Sequence, residues 1–161
     1  DIDDKRVIRM RTFSKAYGMA GARVGYAIGH EGVINSFNKI RNHFGVCRIS
    51  QAGALAALKD QNYLRETVKA IEVGRKRIEM IVGEQGLSVV PSATNFVAID
   101  CGQDAAFAKA VLDQLIARDI FVRMPFVEPQ NRCIRVSVGQ QADLSLFELQ
   151  FPLALEAASE G

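Results

Sequence analysis

The stretch RTFSKAYGMAGARVGY (residues 11–26) sets one lysine, Lys15, between hydroxyl residues and a run of glycines, with Arg23 eight positions further on. A lysine amine can form a Schiff base with a carbonyl. It reacts well only where desolvation or nearby positive charge lowers its pKa. Alternate side chains of an extended strand share a face, so Thr12 and Ser14 point the same way. Gly18 and Gly21 admit unusual backbone angles and the close approach of a ligand. Arg23 supplies a permanent fork of donors suited to phosphate. An anion held by Thr12, Ser14 and Arg23 beside an imine-forming lysine describes pyridoxal phosphate. The competing reading is a surface lysine in a glycine-rich turn. A P-loop does not fit, because its lysine follows the glycines and precedes Ser or Thr. The spacing of Gly18, Gly21 and Gly25 is not the dinucleotide fingerprint either.

Outward from this stretch, the chain alternates strands and helices. RVIRMRTF and ARVGYAIG read as strands. EGVINSFNKIRNHF has helical spacing at Val33, Phe37 and Ile40, and Ser50 can cap the helix QAGALAALKD. A long helix follows Asn62, with Leu64, Val68, Ile71, Ile78 and Val82 at helical intervals and Gly86 as its stop. Pro91 divides LSVVPSATNFVAIDC into two strand pieces. The helix AAFAKAVLDQLIARD buries Phe107, Val111 and Leu115 beside Ala108, Leu112 and Ile116. IFVRM and CIRVSVG read as strands joined by a polar loop, and Pro152 predicts a kink or division of the last helix. The layout is α/β. Residues from about 86 onward form a plausible small α+β domain.

The chain has 161 residues, about the size of one domain. A net charge of +2 gives no electrostatic case for nucleic acid or a membrane surface. No apolar run approaches the ~18 residues of a membrane span, and no signal peptide opens the chain. Cys47, Cys101 and Cys133 lack metal-type spacing and read as reduced thiols of a cytoplasmic protein. His30 and His43 suggest no metal and read as surface or helix-end residues. The acidic start DIDDKR lacks an initiator methionine and runs straight into a strand, which predicts a C-terminal fragment of a longer protein.

TFSKAYGMAGARVGY resembles the cofactor-lysine motif of fold-type I pyridoxal-phosphate aminotransferases of class I and II. The Thr-x-Ser-Lys start and the arginine eight residues later both match. The similarity is nearest to the histidinol-phosphate aminotransferase branch and continues, in order, through SQAGALAAL, PSATNFVAID and CIRVSVG. It implies that residues 1–70 are the C-terminal part of the large cofactor-binding domain. Residues 71–161 would form a small α+β C-terminal domain, with a linking helix near 62–85.

The resemblance also implies roles. Lys15 would carry the cofactor and then shuttle the substrate α-proton. Thr12, Ser14 and Arg23 would hold the cofactor phosphate, and Arg135 the substrate α-carboxylate. Arg123 matches an arginine that helps to bind a substrate phosphate. It is followed here by MPFVEP rather than a polar continuation, which predicts a weak phosphate preference. No metal is implied. Partners would be a small-molecule amino donor and a 2-oxo acid acceptor, in a cytoplasmic homodimer serving amino-acid biosynthesis. In the family's order the residues that hold the pyridine ring precede the lysine strand, so this chain alone is expected to be inactive or nearly so. Two alternatives use the same scaffold. One is a decarboxylase like threonine-phosphate decarboxylase, and the other is a non-catalytic effector-sensing domain.

Overall fold

The computed structural model describes residues 1–160 of the chain. It divides into two compact units, Asp1–Val68 and Lys69–Gly161. The boundary falls inside a single long helix, α3 (Gln61–Glu84).

In the first unit, β1 (Ile8–Thr12) and β2 (Gly25–Gly29) form an antiparallel pair, in register from Ile8↔Gly29 to Thr12↔Gly25. The ladder continues one step further, because Phe13 N–H donates to the Val24 carbonyl at 3.2 Å. Phe13 is buried, with the rings of Tyr17 and Tyr26 at 4.8 and 5.7 Å. α1 spans only Glu31–Ser36, capped by His30, whose Nδ1 accepts the Gly32 N–H at 3.1 Å; a 3-10 turn follows at Phe37–Lys39. The expected helix over residues 31–44 therefore ends early. The final helical hydrogen bonds at Ile40 and Arg41 return to Phe37, and Asn42 turns the chain by accepting the Phe44 N–H on its own side chain.

α2 (Arg48–Lys59) corrects the expected cap. Cys47 occupies that position in extended conformation, and its sulfur accepts the Ser50 N–H at 3.5 Å. Ser50 lies within the first turn, buried, and its hydroxyl serves another partner.

In the second unit, β3 (Ser88–Val90), β4 (Phe96–Asp100) and β5 (Cys133–Ser137) form an antiparallel sheet in the order β3-β4-β5. Gly86, at φ +71°, ends α3 in the left-handed conformation that suits glycine. α4 (Ala105–Ile116) starts at Asp104, whose carboxylate accepts the Phe107 N–H at 3.0 Å. Strand alternation sends Val97, Ile99, Ile134 and Val136 to one face of the sheet. There they join Ile78, Ile81 and Val82 of α3, Val111 and Leu115 of α4, and the residues of α5 (Gln141–Ser159) in one core. Ile116 stays exposed, against expectation, because the buried stripe of α4 runs through Ala108, Val111 and Leu115 instead.

Two further expectations are corrected. α5 is not divided at Pro152; it runs unbroken from Gln141 to Ser159. Proline removes the bond to the carbonyl four residues back and costs about 3 kcal/mol in a helix interior. Against that, Phe147, Phe151, Ala154 and Ala158 all lie on the buried stripe, and burying a large apolar side chain contributes about 1.5–3 kcal/mol each. IFVRM is not a strand. Only Arg123 pairs, in an isolated bridge with Arg135, because Asp119 at φ +61° and Pro125 interrupt the extended run on either side.

Candidate functional site

The cofactor-type residues of the first unit share one connection. Residues 13–24 leave β1 and return to β2, closed at the base by the Phe13–Val24 bond. The loop is folded back on itself. Gly18 N–H donates to the Lys15 carbonyl at 2.8 Å, and Met19 N–H donates to the Phe13 carbonyl at 3.0 Å. Gly18, at φ +69°, makes this turn possible. Gly21 sits in the 3-10 turn Ala20–Ala22 without a positive φ, and the second left-handed residue is Arg23 itself, at φ +51° and ψ +47°.

Around this frame the donors are free. Thr12 Oγ1 accepts the Ser14 N–H at 3.0 Å, which leaves the hydroxyl proton available. Lys15 is exposed and has no side-chain hydrogen bond or ion pair among the described residues. The Arg23 guanidinium spends one donor on the Ala20 carbonyl at 2.8 Å, which turns it back over the loop with its other N–H groups uncommitted. A free amine and most of a guanidinium on one short loop, with a hydroxyl at the end of the strand that leads into it, are candidate donors for an anionic carbonyl compound.

The substrate-type residues of the second unit meet directly. Arg123 N–H donates to the Arg135 carbonyl at 3.2 Å, and Arg135 N–H donates back to the Arg123 carbonyl at 2.6 Å. Residues that exchange both bonds stand opposite each other, with side chains on one face. Arg135 lies over the Phe96 ring at 4.8 Å and Arg123 over the Phe121 ring at 6.0 Å. Arg123, Met124, Pro125, Phe126 and Arg135 line one hollow. Neither arginine has a carboxylate partner among the described residues, whereas Arg132 pairs with Asp100 at 2.9 Å. Two neighbouring cations without a carboxylate partner are a candidate site for an anion.

The three thiols stand apart from these groups. Burial pushes Cys101 up to about 11 and raises Cys133 as well, so both are inert core thiols. The exposed Cys47 thiol sits against Ser50, whose backbone N–H donates to its sulfur at 3.5 Å. No cluster of three metal-ligating side chains occurs among the described residues, and no helix is long and apolar enough to cross a membrane.

Residues 1–146 match the family model described as aminotransferase class I and II. The chain belongs to this family. It is 37% identical over 147 residues to histidinol-phosphate aminotransferase 2 of Carboxydothermus hydrogenoformans, covering 91% of this chain and 40% of that protein. It is 40% identical over 141 residues to histidinol-phosphate aminotransferase 2 of Methylococcus capsulatus, covering 88% of this chain and 37% of that protein. A crystal structure of histidinol-phosphate aminotransferase from Sinorhizobium meliloti, in complex with pyridoxal 5′-phosphate, superposes with a TM-score of 0.92. Identity there is 51%, over 96% of this chain and 42% of that one. The fold is therefore that of the pyridoxal-phosphate-dependent aminotransferases, and the chain spans about two fifths of the length of the relatives it matches.

Sequence reasoning missed Phe96 beneath Arg135, the pairing of the two arginines, and the true partner of Ser50. The first two follow from strand register, which no short motif encodes. For Ser50 the local sequence carries no signal, since the partner of its hydroxyl lies 28 positions away.

Proposed function

We propose that this chain carries the lysine, phosphate-binding and carboxylate-binding residues of a pyridoxal-phosphate-dependent aminotransferase of the histidinol-phosphate type. The observation that carries the reading is the loop of residues 13–24, where a free lysine amine and a largely uncommitted guanidinium share one folded turn. The donor set fits a phosphorylated aldehyde. Lys15 Nζ suits the aldehyde, and Arg23 with the Thr12 and Ser14 hydroxyls suits the phosphate.

When bound, pyridoxal phosphate supplies an aldehyde that joins amines and a ring that withdraws electrons from the substrate α-carbon. The chain's own groups do the rest. Lys15 Nζ acts as the base that takes the proton from the substrate α-carbon and returns it elsewhere. Arg135 offers a bidentate fork to the α-carboxylate, kept in plane by Phe96 beneath it. Arg123, one step across the bridge, serves a second anionic group on the substrate, with Phe126 and Met124 beside it for apolar surface. The reaction moves an amino group from a small-molecule donor to a 2-oxo acid. The family resemblance supports a cytoplasmic homodimer as the working form, with little activity from the 161-residue chain alone.

The test uses the full-length protein that carries this chain. After incubation with pyridoxal phosphate, borohydride reduction should fix the added mass on the peptide containing Lys15. Unreduced protein given histidinol phosphate and 2-oxoglutarate should form glutamate. Label on another lysine with none on Lys15 would refute the assignment. Release of carbon dioxide in place of amino transfer would identify a decarboxylase, and ligand binding without turnover a sensing domain.

A further inference from the structure

Ser50 is the one buried polar side chain among the described residues, at 8% exposure. Its hydroxyl donates to the Ala22 carbonyl at 2.7 Å, across 28 positions of sequence. A hydroxyl has a single proton and a carbonyl has none, so the direction of this bond is fixed. The Cys47 sulfur, 3.2 Å from the same oxygen, must then act as the donor in its own contact with Ser50.

The Ala22 carbonyl belongs to the peptide unit that leads into Arg23. Arg23 is not glycine, yet it adopts the left-handed conformation, which an L-residue disfavours. Such a conformation persists only where its surroundings hold it. Relaxing Arg23 to the right-handed region would rotate this peptide unit and swing the Ala22 carbonyl away. Ser50 opposes that rotation from the first turn of a twelve-residue helix. At the other end of the short turn, the guanidinium is fixed by the Ala20 carbonyl. The backbone and head of Arg23 are thus held separately, the backbone by α2.

We propose that Ser50 is a positioning residue, which locks Arg23 in its left-handed conformation and so aims its guanidinium at the cofactor phosphate. This rests on the reading of Arg23 as the phosphate-binding arginine. Ser50 itself does not touch the ligand. Its effect passes through the Ala22–Arg23 peptide, so it is specific to the phosphate end.

The experiment compares two probes on the full-length protein, pyridoxal 5′-phosphate and pyridoxal, which lacks the phosphate. One neutral hydrogen bond corresponds to about a two- to tenfold effect. Ser50→Ala should weaken pyridoxal 5′-phosphate by that factor and leave pyridoxal unchanged. Arg23→Ala should weaken the phosphorylated probe by roughly tenfold or more, again sparing pyridoxal. In the Arg23→Ala background, adding Ser50→Ala should cost nothing further, since its target is gone. Ser50→Thr, which keeps the hydroxyl, should restore the preference for the phosphorylated probe. Equal losses for both probes in Ser50→Ala, or additive losses in the double variant, would reduce Ser50 to a general stability role and overturn the proposal. If Arg23→Ala itself fails to discriminate the probes, the phosphate assignment of Arg23 fails. If Arg23→Ala discriminates and Ser50→Ala does not, the positioning role alone fails.

Discussion

Arg123 and Arg135 stand opposite each other across a single bridge, with no carboxylate to neutralise them. Like charges in that position are destabilising, by something under about 1 kcal/mol when they are exposed. The pair persists because each guanidinium rests on an aromatic ring. The two roles should separate by mutation. Arg135→Lys keeps the charge but loses the planar fork that stacks on Phe96 and grips a carboxylate. It should lower kcat/KM by about 10- to 100-fold for every amino substrate and its oxo-acid partner, as expected for one charged hydrogen bond of about 1.5–3 kcal/mol. Arg123→Ala should lower it only for acidic or phosphorylated substrates, while leaving thermal stability unchanged or slightly raised. A substrate panel on the full-length protein decides the matter. Selective loss in Arg135→Lys with uniform loss in Arg123→Ala would exchange the two assignments. Both arginines were legible in the sequence as candidates. Two strands joined by a short loop also allowed them to approach one cleft from neighbouring positions; the direct bridge between them was not legible, because it depends on where residue 123 meets β5.

Among the elements, the helices were the most legible and their starts the least. The apolar spacing of Ile71, Ile78 and Val82 marks α3 in the sequence, and the structure buries Ile78 and Val82 on it. The start of α2 was misread because Ser is a better cap than Cys on chemical grounds. The chain instead spends Ser50 on the Ala22 carbonyl and leaves the cap to a sulfur, a weak acceptor. α5 was read as a helix, but the division that Pro152 suggests does not occur, because the buried stripe of Phe147, Phe151 and Ala154 outweighs the proline's local signal. Asp104 gives a clean test of local chemistry. Its carboxylate caps α4, whose Val111 and Leu115 are fully buried. Asp104→Ala should lower stability by about 1 kcal/mol, read as a shift of the urea midpoint with an unchanged slope. The exposed Lys109–Asp113 pair on the same helix should matter less, with Lys109→Ala costing no more than about 0.5 kcal/mol. A larger loss for Lys109→Ala than for Asp104→Ala would show that the helix is held by its surface charges and not by its cap.

At the scale of the whole molecule, buried apolar surface is unevenly shared. The core cluster runs from Ile78 to Ala158, so all of it lies in the second unit. The first unit buries Phe13 and Ala54 and leaves Ile8, Met10, Tyr26 and Ile28 exposed along its two strands. Two strands without a covered face are marginal in water, where three strands with helices on one side are not. Within this chain, which spans about two fifths of its relatives' length, the opening free energy of the unit that carries Lys15 and Arg23 should therefore lie below that of the second unit. Hydrogen exchange on the 161-residue chain measures this directly. Amides of β4, β5 and the buried stripe of α5 should exchange only with global unfolding. Those of β1, β2 and residues 13–24 should exchange orders of magnitude faster, through local opening. Equal protection in the two units would mean that the β1–β2 pair draws stability from contacts beyond its own hairpin. The loop that carries the lysine would then be held rigid before any ligand arrives.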